Sequence, residues 1–122
     1  KKIRIGNLIN IEKSLSHGKK ISGHYIQGHV DTTSIVKNIK TADKSWIVEL
    51  NVPKRFMKYL AEKGSVSING VSLTISRITK SGFQVTVIPH TLKLTNLFKI
   101  NKGDLVNIEF DIFSKYLFKL TN

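Results

Sequence analysis

Two Gly-His pairs are the first candidates for chemistry in this sequence. They lie in the segment Gly23-His24-Tyr25-Ile26-Gln27-Gly28-His29-Val30-Asp31, and imidazole rings can bind metals or move protons near neutral pH. On an unbroken strand the odd spacing places His24 and His29 on opposite faces, so the rings converge only if Gly28 forms a bulge. Without a third ligand nearby the pair is a poor metal site, and no metal is expected. The alternative, slightly favoured by these residues alone, is a strand with two hydrogen-bonded histidines.

A row of hydroxyl side chains around Asn69-Gly70 is the second candidate. Asn and Gly are favoured in a two-residue type I′ turn because both positions need positive φ. Folding residues 65–76 about this turn predicts a hairpin with one aliphatic face. The opposite face then carries Ser65, Ser67, Ser72 and Thr74. Such a face can offer hydrogen bonds to a flat heterocycle or a polyol chain, or it can be simply the solvated side of a barrel strand, which is the commoner arrangement.

The third candidate is Ile88-Pro89-His90-Thr91-Leu92, which is interpreted as a loop after a strand over 83–88 that Pro89 ends. Binding groups tend to collect on loops that follow strands. The sequence shows no Ser-His-Asp order, phosphate loop or paired-carboxylate motif. From the residues alone the prediction is a small barrel with a polar, hydroxyl-lined outer face.

Short alternating segments must position these groups. In the segment 46–52, Trp46 and every second residue after it are apolar, which is typical of a half-buried strand. Pro53 opens a predicted short helix that Gly64 ends, and a further strand covers 104–111. Helical spacing of Phe113, Tyr116, Leu117 and Leu120 predicts a C-terminal helix. About six short strands with Gly-containing turns predict an all-β fold, a small closed antiparallel barrel with short helices.

Composition limits the class of protein. The 122 residues suit one compact domain, no apolar run reaches membrane-spanning length, and no signal peptide or Cys occurs, so we expect a cytoplasmic protein. The net charge of +12 permits a nucleic-acid partner. However, the Lys residues are scattered singly, and Trp46 and most Phe fall on faces predicted to be buried, whereas single-stranded nucleic acid needs exposed aromatic side chains. We therefore expect neither a nucleic-acid nor a membrane partner.

The sequence also contains an internal near-repeat. Gly6-Asn7-Leu8-Ile9-Asn10-Ile11-Glu12 and Gly103-Asp104-Leu105-Val106-Asn107-Ile108-Glu109 are identical at five of seven positions. The two copies lie about one small domain apart. A duplicated module is the simplest explanation. The expectation is that the chain holds the end of one copy and the whole of the next, with half of a two-module protein missing.

Four motifs in order resemble the riboflavin synthase family and its lumazine-binding repeat. They are the 23–31 segment, Lys63-Gly64-Ser65-Val66-Ser67-Ile68-Asn69-Gly70-Val71-Ser72-Leu73-Thr74-Ile75, Ile88-Pro89-His90-Thr91-Leu92 with Thr95-Asn96-Leu97, and Val106-Asn107-Ile108-Glu109-Phe110-Asp111 with Lys115-Tyr116. The resemblance implies two tandem six-stranded Greek-key barrels and a C-terminal helix. Residues 1–20 would be the tail of a truncated first barrel with its linker, and residues 21–122 the second barrel with the helix.

The resemblance also implies a reaction. The family enzyme converts two molecules of 6,7-dimethyl-8-ribityllumazine into riboflavin and 5-amino-6-ribitylamino-pyrimidinedione, with no metal or organic cofactor. It is a homotrimer whose sites lie between the first barrel of one subunit and the second barrel of a neighbour. This chain alone is then expected to bind lumazine or riboflavin but to be weakly active or inactive. A non-catalytic carrier of lumazine or flavin, similar to lumazine protein, is the alternative.

Site residues follow from the resemblance position by position. His29, Ser72 and Asp111 would be the catalytic candidates, and Lys63 would reach the ligand of a neighbouring subunit. Asn69 replaces the more usual Asp at the turn, with little expected consequence. The implied ligand contacts are Gly28, His29, Val30, Ser72, Leu73, Thr74, Val87, Ile88, Pro89, His90, Thr91 and Leu92.

Overall fold

Six antiparallel strands close into a barrel. The computed structural model describes residues 3–122, so the first two residues of the predicted 1–20 segment lie outside it. The strand order around the barrel is β1-β2-β5-β4-β3-β6, and closure gives every strand a hydrogen-bonded neighbour on each side. The prediction of an all-β, closed six-stranded antiparallel barrel is therefore confirmed. The strands are β1 Thr32–Ala42, β2 Ser45–Asn51, β3 Ser65–Ile68, β4 Val71–Thr79, β5 Gly82–Val87 and β6 Leu105–Phe110.

Alternation along the strands builds the core. In β2, Val48 and Leu50 are buried whereas their strand neighbours are only partly covered, as expected for a strand with one face inside a barrel. Trp46 packs half-buried against this core, as predicted, but Phe98 and Phe113 are exposed. The largest side chains that are completely buried are Phe83, Phe110, Leu50, Ile68, Ile75, Leu97 and Ile108.

The predicted hairpin forms in the predicted register. Ser67 pairs with Ser72, and Ile68 with Val71, while Asn69 and Gly70 adopt φ of 49° and 81°. These angles confirm the type I′ turn.

The β3–β4 turn is also fastened to β6. The side-chain Oδ1 of Asn69 accepts a hydrogen bond from the Asn107 backbone N–H at 2.9 Å. The Asn69 N–H in turn donates to the Asn107 carbonyl at 2.9 Å. The acceptor oxygen that Asn69 supplies is one that Asp would supply equally.

The segment 23–31 is not a strand, so that interpretation of the two Gly-His pairs was wrong. The first strand begins only at Thr32. Gly23 and Gly28 have φ of +82° and +76°, in the left-handed region that extended strands do not contain. The backbone therefore bends at both glycines, and the odd spacing of the histidines no longer determines where their rings lie.

Two further local predictions need correction. Residues 88–92 are not a loop, because Pro89–Leu94 forms a short helix, α1, with Ile88 at its N-cap position. Pro fits the first turn of a helix, where its missing N–H has no partner to lose. The predicted helix after Pro53 is a 3₁₀ helix over Lys54–Tyr59, with Pro53 itself at the cap. This helix ends before Gly64 because Leu60 is already extended.

The predicted C-terminal helix is present as α2, Ile112–Thr121. Asp111 caps its N-terminus by accepting a hydrogen bond from the Phe113 N–H at 3.0 Å. Asp31, just before β1, accepts from the Phe110 N–H at 2.8 Å and forms an ion pair with Lys115 at 2.6 Å. These bonds fix the junction of β6 and α2 against the start of β1.

No helix formed by residues 3–122 has both the length and the apolar character needed to cross a bilayer.

Candidate functional site

A strap, residues 23–28, crosses the outside of the barrel. Ser72 on β4, Ser67 on β3 and Glu109 on β6 lie side by side in the sheet register. The strap bonds to both ends of this row: His24 contacts Ser72, and the Gln27 N–H donates to Glu109 Oε1 at 2.7 Å. It therefore covers Ser67, which is only 1% exposed, and Glu109, which is 6% exposed. One interpretation of the sequence was that the hydroxyl row is the solvated side of a barrel strand. The strap covers part of the row, so that interpretation does not hold along its whole length.

The contact between His24 and Ser72 is close. The His24 backbone N–H donates to Ser72 Oγ at 3.2 Å, and the ring Nδ1 lies 2.6 Å from the same oxygen. The other ring nitrogen, Nε2, is buried and has no hydrogen-bond partner among residues 3–122. Burial lowers the pKa of His24, and the negative charges of Asp111 and Glu109 oppose that shift. The first Gly-His pair and the hydroxyl row, which are far apart in the sequence, thus meet at the Ser72 hydroxyl.

Glycine at position 23 makes this contact possible. A Cβ at Gly23 would overlap the side chain of Ser72, and the φ of +82° is one that other residues rarely adopt. The first Gly of the first Gly-His pair therefore has a steric role that periodicity could not show.

A cleft of about 970 Å³ opens beside this contact. Its walls are the strap, residues 8–15, the β3–β4 turn and α1. The volume suits a ligand of drug or cofactor size. Four predicted ligand contacts from three separate motifs line the cleft together: Gly28, Ser72, His90 and Thr91. Hydroxyl, amide and imidazole groups in one concave site can orient a polar heterocycle with a polyol arm.

One wall of the cleft is held by asparagines. Asn10 Nδ2 donates to the Asn69 carbonyl and to Asn96 Oδ1, each at 2.9 Å. The Asn96 N–H donates back to Asn10 Oδ1 at 2.8 Å, and Asn96 Nδ2 donates to the Leu8 carbonyl at 2.9 Å. The residues 8–15 contain neither helix nor strand, so these bonds determine where this wall stands.

The remaining predicted site residues are distributed more widely. Leu73 and Val87 have their side chains in the core, so only their backbone atoms could meet a ligand outside the barrel. Leu92 is half-buried against the same core, and Asp111 caps α2 within electrostatic reach of His24. The predicted residues that are exposed and lie outside the cleft lining are His29, Val30, Lys63, Thr74, Ile88 and Pro89.

The sequence analysis named His24 as a candidate for chemistry but did not place it among the ligand contacts, and it did not include Asn10 or Asn96 in the site. His24 belongs to the first Gly-His pair, and that pairing was the available signal. Asn10 lies in the near-repeat and Asn96 in a motif of the family resemblance, but neither position suggested a contact between them. Within residues 3–122 no three His, Asp or Glu side chains are grouped as metal ligands.

Known proteins are similar to this chain in sequence and in fold. Riboflavin synthase of Photobacterium leiognathi is 41% identical over 117 residues, or 96% of this chain and 54% of the relative. Riboflavin synthase of Photobacterium phosphoreum is 36% identical, also over 117 residues that cover 96% of this chain and 54% of the relative. The chain thus spans about half the length of the curated relatives it matches. The crystal structure of LumP complexed with riboflavin superposes with a TM-score of 0.68 at 26% identity, covering 76% of this chain and 50% of that one.

A family model gives the most direct assignment. Residues 27–111 match the model described as the lumazine binding domain. The match includes all six strands of the barrel and the motifs around the hydroxyl row and α1. The chain belongs to the lumazine-binding domain family.

Proposed function

We propose that this chain is part of a riboflavin synthase, which converts two molecules of 6,7-dimethyl-8-ribityllumazine into riboflavin and 5-amino-6-ribitylamino-pyrimidinedione. The observation that carries the proposal is the cleft, where Gly28, Ser72, His90 and Thr91 from three separate motifs come together. Riboflavin synthases matching nearly the whole chain support the same reaction.

The chemistry suits a protein that binds and orients more than it reacts. The C7 methyl group of the lumazine is acidic because its carbanion delocalises into the heterocycle. Hydrogen bonds from groups such as Ser72 to ring oxygens and nitrogens would stabilise that anion. Holding two rings together in a dry site replaces a bimolecular encounter, which is worth about 7–11 kcal/mol. His29, Ser72 and Asp111 remain the proposed groups for proton movement.

A complete site requires a second barrel under this proposal. Residues 1–20 would be the end of a first lumazine-binding barrel and its linker, and residues 21–122 the second barrel with α2. In a cytoplasmic homotrimer, the cleft would face the first barrel of a neighbouring subunit, and Lys63 would reach across to that subunit's ligand. The isolated chain should therefore bind ligand and turn over little.

Ligand binding by the 122-residue chain is the first test. Titration with 6,7-dimethyl-8-ribityllumazine, followed by its fluorescence, should show saturable binding that Ser72→Ala weakens about tenfold. His17→Ala is a matched control, because His17 is exposed and lies outside the cleft lining. Absence of saturable binding by the wild-type chain would contradict the proposal.

Turnover is the second test and needs both barrels. A chain in which the rest of the first barrel precedes residue 1 should form riboflavin from the lumazine, and the variants His29→Ala and Thr74→Ala should form it more slowly. Unchanged rates in both variants would exclude the proposed contact set. The alternative function, a non-catalytic lumazine or flavin carrier, is favoured by the likeness to LumP bound to riboflavin. Tight binding without riboflavin formation in the two-barrel protein would establish that alternative.

A further inference from the structure

We propose that the β3–β4 turn is a site of spontaneous covalent modification, at which Asn69 deamidates to aspartate or isoaspartate when the contacts that restrain it open. The sequence contains a single Asn-Gly pair, Asn69-Gly70. Because glycine has no side chain, nothing shields the Gly70 backbone nitrogen from the preceding side-chain amide. The chemistry itself is independent of the proposed function, whereas its effect on ligand binding rests on that function.

The reaction needs only water. The Gly70 nitrogen uses its electron pair to attack Asn69 Cγ and loses its proton to hydroxide, while the side-chain nitrogen takes a proton from water and leaves as ammonia. Water then opens the resulting succinimide ring at one of its two carbonyl groups. Opening at Cγ gives aspartate, and opening at the main-chain carbonyl gives isoaspartate. Nothing is oxidised or reduced.

The native contacts of Asn69 oppose ring closure. Its Oδ1 accepts from the Asn107 N–H at 2.9 Å, so rotation of Cγ towards the Gly70 nitrogen breaks that bond. The type I′ turn also keeps ψ of its first residue at about 30°, whereas a five-membered ring needs the Gly70 nitrogen nearly eclipsed with Cβ. Rotation about ψ moves the Asn69 carbonyl away from Asn10 Nδ2, its donor at 2.9 Å. Two hydrogen bonds must therefore break before the ring can close.

The two products differ in what they do to the turn. Aspartate keeps the length of the main chain and an acceptor for the Asn107 N–H. Isoaspartate inserts a methylene into the main chain before Gly70, which does not fit the two-residue turn that fixes the hairpin register. The carbonyl that accepts from Asn10 becomes a carboxylate detached from Gly70. Because Gly70 and residues 8–15 line the cleft, isoaspartate should disturb the site whereas aspartate should preserve it.

Peptide mapping measures the reaction without a ligand. The 122-residue chain is incubated at mildly alkaline pH in buffer and in urea, and conversion of Asn69 is followed by mass spectrometry. A peptide of residues 65–74 corrects for the effect of urea on the chemistry. Native conversion should be about 30-fold slower than conversion in urea, the factor that two ordinary hydrogen bonds supply. Asn101, which precedes Lys102, is the internal control and should convert more slowly than Asn69 in urea.

Two results of this measurement would overturn the inference. Equal rates in buffer and in urea would show that the native contacts do not restrain Asn69. Failure of Asn69 to convert in urea faster than Asn101 would show that the turn is not a modification site.

Asn10→Ala tests one restraint separately. The variant removes the donor to the Asn69 carbonyl and keeps the bond from Asn107. Native conversion should accelerate about fivefold, the value of one hydrogen bond, while conversion in urea stays the same. Asn7→Ala is the matched control from the same segment, because the Asn7 side chain accepts from the nearby Arg4 N–H. A native rate of Asn10→Ala equal to wild type would contradict the role given to the carbonyl bond.

The separated products test the consequence for the site. Isoaspartate is identified by methyl transfer with a protein isoaspartyl methyltransferase, and Asn69→Asp is the reference for the other product. The isoaspartyl form should lose protection of the Asn107 amide and bind 6,7-dimethyl-8-ribityllumazine about tenfold more weakly, whereas Asn69→Asp should bind within about twofold of wild type. A protected Asn107 amide in the isoaspartyl form would overturn this consequence. If the wild-type chain does not bind the lumazine, the proposed function fails, while the conversion rates and the amide exchange still decide the inference.

Discussion

The strap can lie close to Ser72 because Gly23 has no side chain. Gly23→Ala adds a Cβ that overlaps Ser72 and strains a positive φ. Gly18 has a similar φ of +75° with nothing within 4 Å of an added Cβ, so Gly18→Ala measures the backbone cost alone, about 1–2 kcal/mol. In urea unfolding Gly23→Ala should lose more stability than Gly18→Ala, and the Gln27 amide should exchange faster. Equal losses in the two variants would show that the strap tolerates the added carbon.

His24 should also make stability depend on pH. The pKa of His24 in the folded chain is lowered from 6.5, mainly by burial. Between pH 6.5 and that lowered pKa, the unfolded chain therefore binds more protons than the folded chain. Stability is therefore full above 6.5 and falls as pH decreases towards the lowered pKa. Urea midpoints measured between pH 8 and pH 5 should show this decline in wild type, and His24→Asn should reduce it. His17→Asn serves as the control, and a His24→Asn curve parallel to wild type would contradict the assignment.

Among the elements, the β3–β4 hairpin combines turn geometry with a tertiary contact. Asn69→Asp keeps an acceptor for the Asn107 N–H and should change stability by less than about 0.5 kcal/mol. Asn69→Ala loses that acceptor and also strains φ, so it should cost about 2–3 kcal/mol in urea unfolding.

The β1–β2 turn offers a matched comparison for Asn69. Asp43 has a φ of 52° and is exposed, so Asp43→Ala should show mainly the backbone cost. If Asn69→Ala and Asp43→Ala cost the same, the bond to β6 contributes nothing measurable.

An ion pair joins the helix α2 to a residue outside it. Lys115 and Asp31 form a pair at 2.6 Å with side chains only 23% and 22% exposed, which is better shielded than a typical surface pair. Lys115→Met keeps the apolar stem and removes the charge, and should destabilise the chain by about 1 kcal/mol with faster amide exchange in α2. Lys119→Met, in the exposed last turn of the same helix, should have no such effect. Similar exchange rates in the two variants would assign the anchoring of α2 to its apolar contacts instead.

Elements whose contacts are close in sequence were predictable, whereas elements that depend on contacts between distant residues were not. The β3–β4 register follows from Asn69-Gly70 and local alternation, since all its partners lie within the hairpin. The strap was misread as a strand because its partners Ser72 and Glu109 are 48 and 82 residues away from His24 and Gln27. Likewise, α1 looks like a loop in the sequence because a six-residue helix is too short to show periodicity.

Over the whole molecule, the cleft exists because segments that are far apart in the sequence meet. The barrel alone provides Ser72 and α1, whereas residues 8–15 provide the opposite wall. The bonds between Asn10 and Asn96 join positions 86 residues apart. The volume available to a ligand therefore depends on the side-chain amides of Asn10 and Asn96. Removing these amides should leave the barrel strands paired.

This dependence predicts an effect on binding without an effect on folding. Asn96→Ala removes the side-chain bonds to Asn10 and Leu8 and leaves only the Asn10 bonds to the Asn69 carbonyl and the Asn96 N–H, so residues 8–15 should be held less firmly. Lumazine affinity should fall about tenfold, which corresponds to about 1.4 kcal/mol, while the barrel amides keep their protection. Asn101→Ala, which removes only a local side-chain bond to the Lys99 carbonyl, is the control. Because both single variants lose the Asn10–Asn96 side-chain bond, the double variant should lose less affinity than the sum of the two single losses. Additive losses would mean that each amide contacts the ligand separately, and an unchanged affinity after detachment of residues 8–15 would remove that wall from the site.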